Sequence, residues 1–142
     1  MVTKVADLMT EHPVLISPNA TLHAAAEKML AANCGCLPVG TAKHLKGFIT
    51  DRDIVVRAIA VGKNPSKELV SDHMTAEVFA CNEQDSIETA AQKMHAHKIS
   101  RLVVRNHEGV ATGILSFGAI FREDTSAKEV ADVIKHSYSP SI

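Results

Sequence analysis

The chain has 142 residues, 46% hydrophobic and 22% charged, with a formal net charge of -1. A chain of this length buries roughly 68–70% of its unfolded surface, enough for one domain or two small halves without disulfides, and the ordinary balance of residue types excludes a largely disordered protein. With aromatics at 4%, no tryptophan and no basic excess, neither nucleic acid nor an anionic membrane is an expected partner.

In chain order, "MVTKVADLMTEHP" lacks the long apolar core of a secretory signal, and no apolar stretch reaches the ~20 residues of a membrane span. Cys34 and Cys36 are too close along one strand to bridge comfortably, and the odd count of three cysteines fits a reducing compartment. A cytoplasmic protein is expected. After the lead-in "VADLMT" (residues 5–10), "VLI" (14–16) reads as a short strand ended by Ser17-Pro18-Asn19, and Thr21 caps a helix. Leu22, Ala25, Ala26, Met29 and Leu30 place one apolar stripe on that helix. Gly35 breaks the pattern, and "CLPV" and "LKGFIT" follow as two strands around the polar turn at residues 40–44. A second helix starts after Thr50. Its residues Ile54, Val55, Val56, Ala58, Ile59, Ala60 and Val61 leave only the polar edge Arg52, Asp53 and Arg57, so it is expected to be covered on more than one side.

The same series then returns. "VADLMT" recurs as "VSDHMT" (70–75), "AAEKM" (25–29) as "AAQKM" (90–94) and "CLPV" (36–39) as "RLVV" (101–104), all displaced by 65 positions. "GFIT" (47–50) recurs as "GILS" (113–116) with one inserted residue in the turn around "RNHEG". The expected class is α+β, two βαββα repeats, with segments 5–64 and 65–122 and a short C-terminal helix and tail over 123–142.

Between the two apolar runs of "GFITDRDIVVRAIAVG" stands a polar cluster. Thr50 and Asp53 have the spacing of a capping box, which alone explains both residues.

The doubled series "DLMT"/"DHMT", "CLPV"/"RLVV" and "GFITDRD" resembles a tandem CBS module, the paired repeat of cystathionine β-synthase, over nearly the whole chain from Val5 to Ile120. That resemblance implies two repeats facing each other about a pseudo-twofold axis, with clefts that take AMP, ADP, ATP, NAD or S-adenosylmethionine, and modules that pair into homodimers. It also implies that an adenine nucleotide serves as regulatory ligand, with no cofactor required. In that frame Asp53 accepts from both ribose hydroxyls, while the helix N-terminus after Thr50 and the Arg52 guanidinium suit phosphate. By the same analogy Gly35 and Cys36 come from the strand of the first repeat, and Val78, Phe79, Ser100 and Arg101 from the second. Val78 and Phe79 would sandwich adenine, and core packing explains them equally well.

The second repeat departs from the pattern. Ser116 keeps the hydroxyl, but Ala119 stands where Asp53 has its counterpart, so one competent cleft and one weak, empty or altered cleft are expected. Cys34-x-Cys36 lacks a second pair of metal ligands, Cys81 aligns with Ile16 as a small buried hydrophobe, and each of the eight histidines reads as solvated or satisfied. No nucleophile–base set or glycine-rich phosphate loop suggests an enzyme. The leading expectation is a stand-alone regulatory or sensor module. Its rival is a homodimeric scaffold with vestigial clefts that binds a protein target.

Overall fold

A computed structural model describes residues 3–122, and the expected C-terminal helix over 123–142 lies outside the described residues. The chain divides into two compact units, Pro13–Val78 and a second built from residues 3–12 with 79–122. These units are offset from the sequence repeats, because each lead-in is incorporated into the unit of the other repeat.

In the second unit, α1 (Val5–Leu8) leads into β1 (Thr10–Glu11), which joins a four-stranded sheet in the order β1-β6-β5-β4. There β4 (Ala80–Asn82) runs parallel to β5 (Arg101–Arg105), while β6 (Ala111–Ser116) is antiparallel to both β5 and β1. Between β4 and β5 runs α3 (Ile87–His97), whose Ser86 cap accepts from the Thr89 N–H at 3.1 Å. Its Ile87, Ala90, Ala91 and Met94 are buried with Leu102, Val104 and Leu115, and α4 (Phe117–Arg122) closes the unit through Ile120.

The unit Pro13–Val78 repeats the plan. Helix α2 (Leu22–Ala32), capped by Thr21 on the Ala24 N–H at 3.1 Å, covers β2 (Cys36–Gly40) and β3 (Leu45–Thr50) through Leu22, Ala25 and Met29. Both α2 and α3 end on a left-handed residue, Asn33 and Lys98 respectively. The expected "VLI" strand is reduced to a single bridged residue: Ile16 donates to Pro38 O at 3.1 Å and accepts from Gly40 N at 2.9 Å. Pro13 and Pro18 flank it and have no N–H with which to extend the ladder. On the opposite edge Phe48 and Thr75 exchange backbone hydrogen bonds at 3.0 and 2.9 Å.

Asp53–Ile59 is a π-helix rather than a regular α-helix, with Ala60 N bonded to Val55 O at 2.8 Å. Only Ile54, Ala58 and the Asp53 side chain are buried, whereas Val55 is 57% and Ile59 49% exposed. The covering expected on more than one side is therefore present on one face of the described chain. No helix among the described residues is long and apolar enough to cross a membrane.

Cys81 fills in one core the place that Ile16 fills in the other. Burial, and secondarily the Asp85 carboxylate, push its thiol from about 9.0 up to about 11. The unfolded chain thus loses this proton first as pH rises, so stability falls between about pH 9 and 11, by no more than on the order of 2 kcal/mol. Urea unfolding across that window is expected to show the slope in wild type, and Cys81→Val to remove it.

Candidate functional site

The ends of β2 and β3 bring five of the expected residues together in the unit Pro13–Val78. Cys36 opens β2 directly opposite Thr50, the last residue of β3. The Gly35 carbonyl accepts from Asp51 N at 2.9 Å, which turns the chain from strand into helix. A Cβ on Gly35 would lie 2.6 Å from Asp51 Oδ2, so glycine is what lets the Asp51 carboxylate lie against the strand entry. Asp51 Oδ1 accepts from Arg52 N at 2.8 Å. The Arg52 side chain is exposed, and its guanidinium forms no ion pair among the described residues.

Thr50 and Asp53 form the reciprocal box that their spacing suggests. Thr50 N donates to Asp53 Oδ2 at 3.0 Å, and Asp53 N donates to Thr50 Oγ1 at 3.0 Å. Asp53 is only 9% exposed, and its Oδ1 lies 3.6 Å from Arg57 Nε. A carboxylate has about four lone-pair sites; the Thr50 N–H takes one and Arg57 adds an ion-pair contact, so the group retains capacity for at least two further donors. Capping and ligand binding are therefore chemically compatible at this side chain.

The remaining expected residues are described within their own units. Val78 is half-buried at the end of the same unit. Phe79, Ser100, Arg101 and Ser116 belong to the other unit. There the Phe79 ring stacks on His97 with centroids 4.2 Å apart and 30° between planes, while its carbonyl accepts from Val103 N. The Ser100 carbonyl accepts from Phe117 N at 2.8 Å, as Gly35 does from Asp51. Arg101 is exposed at the start of β5, across from Ser116. Ser116 Oγ accepts from Ala119 N at 3.1 Å, and the Ala119 methyl has no polar atom to return a bond. The box is thus two-way in one unit and one-way in the other.

Sequence reasoning did not single out Asp51, or the chain of contacts behind Asp53. Arg57 Nη1 reaches the His73 carbonyl at 3.5 Å, His73 is 5% exposed with its ring nitrogen 3.1 Å from Glu68 Oε1, and Lys63 lies 3.6 Å from the same oxygen. The His73 hydrogen bond, with help from Lys63, holds the Glu68 carboxyl below its ordinary value of 4.5. That contribution to stability is present above the unfolded value and fades as pH falls through the folded one. The acid-to-base spacing of Asp53 and Arg57 was a readable signal; the pairing of His73 with Glu68 had none. Among the described residues no group of three histidine, cysteine, aspartate or glutamate side chains could hold a metal ion.

The family model "CBS domain" matches residues 5–59 and 70–126. The CBS domain-containing protein YhcV of Bacillus subtilis is 37% identical over 116 residues, which is 82% of this chain and 81% of that protein. A crystal structure of Hypoxic Response Protein I with two coordinated zinc ions is similar at TM-score 0.75 and 27% identity, over 87% of this chain and 100% of the other. The CBS domain pair of protein MJ0100, in complex with 5′-methylthioadenosine and S-adenosyl-L-methionine, is similar at TM-score 0.74 and 27% identity, over 86% and 95% of the two chains.

Proposed function

Because this chain belongs to the CBS domain family, we propose that it is a regulatory module whose first repeat binds an adenine nucleotide or related adenosine derivative. The observation that carries the reading is the buried Asp53 carboxylate, fixed by Thr50 yet with acceptor capacity to spare, beside the exposed Arg52. An adjacent pair of ribose hydroxyls matches that spare capacity, and Arg52 matches phosphate. The complex of the MJ0100 pair with two adenosine derivatives supports the same ligand class. Gly35 and Cys36 border the site, and Val78, Phe79, Ser100 and Arg101 are its proposed contributors from beyond the first repeat's strands. The cleft organised by Ser116 is the weaker one, for want of a carboxylate at Ala119.

Exposed Val55, Val56 and Ile59 support a homodimer as part of this proposal. They also favour the second reading, a scaffold that associates through this face and uses Thr50 and Asp53 as a cap alone. A thermal-shift panel separates the two. AMP, ADP, ATP, NAD, S-adenosylmethionine and 5′-methylthioadenosine are each added in excess, and at a hundredfold excess over its dissociation constant a true ligand adds about 2.7 kcal/mol of apparent stability. At least one is expected to raise the midpoint; if none does, the scaffold reading stands in its place.

A further inference from the structure

We propose that Arg57 is a positioning residue for this site: it orients the Asp53 carboxylate toward a ribose diol and ties that carboxylate to the backbone at His73. The proposal rests on the reading of Asp53 as the ribose acceptor. One hydrogen bond, from Thr50 N to Oδ2, leaves the carboxylate plane able to turn, whereas the 3.6 Å ion-pair contact at Oδ1 opposes that rotation. Arg57 follows Asp53 by four residues in the π-helix, on the neighbouring turn, which brings Nε to 3.6 Å from Oδ1. At its other end the guanidinium meets the His73 carbonyl. That carbonyl is itself held, since the His73 ring is buried on Glu68 and Thr75, two residues on, is paired with Phe48. Arg57 therefore spans two anchored points, and ligand hydroxyls arriving at Asp53 meet a carboxylate already aligned.

The two repeats differ in a way that agrees with this. With the displacement that equates Thr50 with Ser116 and Asp53 with Ala119, position 57 corresponds to Glu123. The repeat that lacks the acid also lacks the base, and carries a charge of opposite sign in its place. The hydroxyl of Ser116 and the apolar Ile120, equivalent to Ile54, are kept. The loss of the base along with the acid agrees with a side chain that serves the Asp53 carboxylate, in a stretch where the repeats also differ at other positions, Ala58 against Asp124 among them.

The test compares wild type, Arg57→Gln and Arg57→Lys by calorimetric titration with AMP and 2′-deoxy-AMP, and by hydrogen exchange of the ligand-free proteins. Wild type is expected to prefer AMP. Arg57→Gln is expected to reduce that preference by about threefold or more, as loss of a partly screened charge contact would, and Arg57→Lys to retain most of it. Exchange at Met74 and Thr75 is expected to quicken in Arg57→Gln. A merely structural arginine would weaken both nucleotides equally and leave their ratio alone, which overturns the proposal, as does unchanged exchange at residues 74 and 75. Wild type that fails to distinguish the two nucleotides overturns the ribose reading itself, and the proposal falls with it; a wild-type preference that survives in Arg57→Gln removes the proposal alone.

Discussion

Asp53→Asn is expected to lose nearly all nucleotide stabilisation while the ligand-free protein remains folded. At a thousandfold excess over its dissociation constant, a ligand adds about 4.1 kcal/mol to wild type. Asparagine keeps one oxygen for the Thr50 N–H, so the cap survives in reduced form and the ligand-free cost stays near about 1 kcal/mol. What disappears is the negative charge and one acceptor. Charge-assisted hydrogen bonds are worth about 1.5–3 kcal/mol each, and two of them to a diol account for the expected loss. Melting curves of both proteins with the best ligand of the panel check this. Equal shifts in the two would place the sugar away from Asp53, whatever the affinity.

The division of labour between side chains and backbone explains what could be read in advance. Period, caps and apolar stripes are written in side chains, and Thr21, Leu22, Ala25 and Met29 all sit where their spacing implies. The Thr50–Asp53 box was legible for the same reason. The π-helical turn was not, because Ile54 and Ala58 satisfy an α-helical pattern equally well and the difference lies in which carbonyl Ala60 N selects. Nor was the exchange of lead-ins between repeats. "DLMT" and "DHMT" join their sheets by backbone pairing, Thr10 with Ile114 and Thr75 with Phe48, and such pairing leaves little trace in side-chain type. His73 escaped notice because a buried histidine differs from a solvated one only by its partner, here Glu68.

The trace that the exchange does leave is a pair of glycines, and Gly47→Ala is expected to cost about 3 kcal/mol of stability. Gly47 is buried in β3, and a Cβ there would run into the Thr75 carbonyl oxygen, with the Thr75 carbonyl carbon at 3.1 Å and Ala76 Cα at 3.2 Å. All three are backbone atoms and cannot rotate aside. Relief requires the segment after His73 to move off β3, which strains or breaks both Phe48–Thr75 hydrogen bonds. Overpacking costs about 1–3 kcal/mol and each lost hydrogen bond about 1, while the smaller entropy of the unfolded alanine chain returns about 0.4–1. Gly113 plays the corresponding part against Thr10 O, 2.8 Å from its would-be Cβ. Gly35→Ala is the contrasting case, because the obstacle there is the end of the exposed Asp51 side chain, which can swing into water; its cost is expected to stay below about 1 kcal/mol. Urea midpoints of the two variants test the distinction. If Gly47→Ala unfolds as late as Gly35→Ala, the lead-in after His73 is not held against β3 by this close approach, and the glycine of "GFIT" marks the repeat for some other reason.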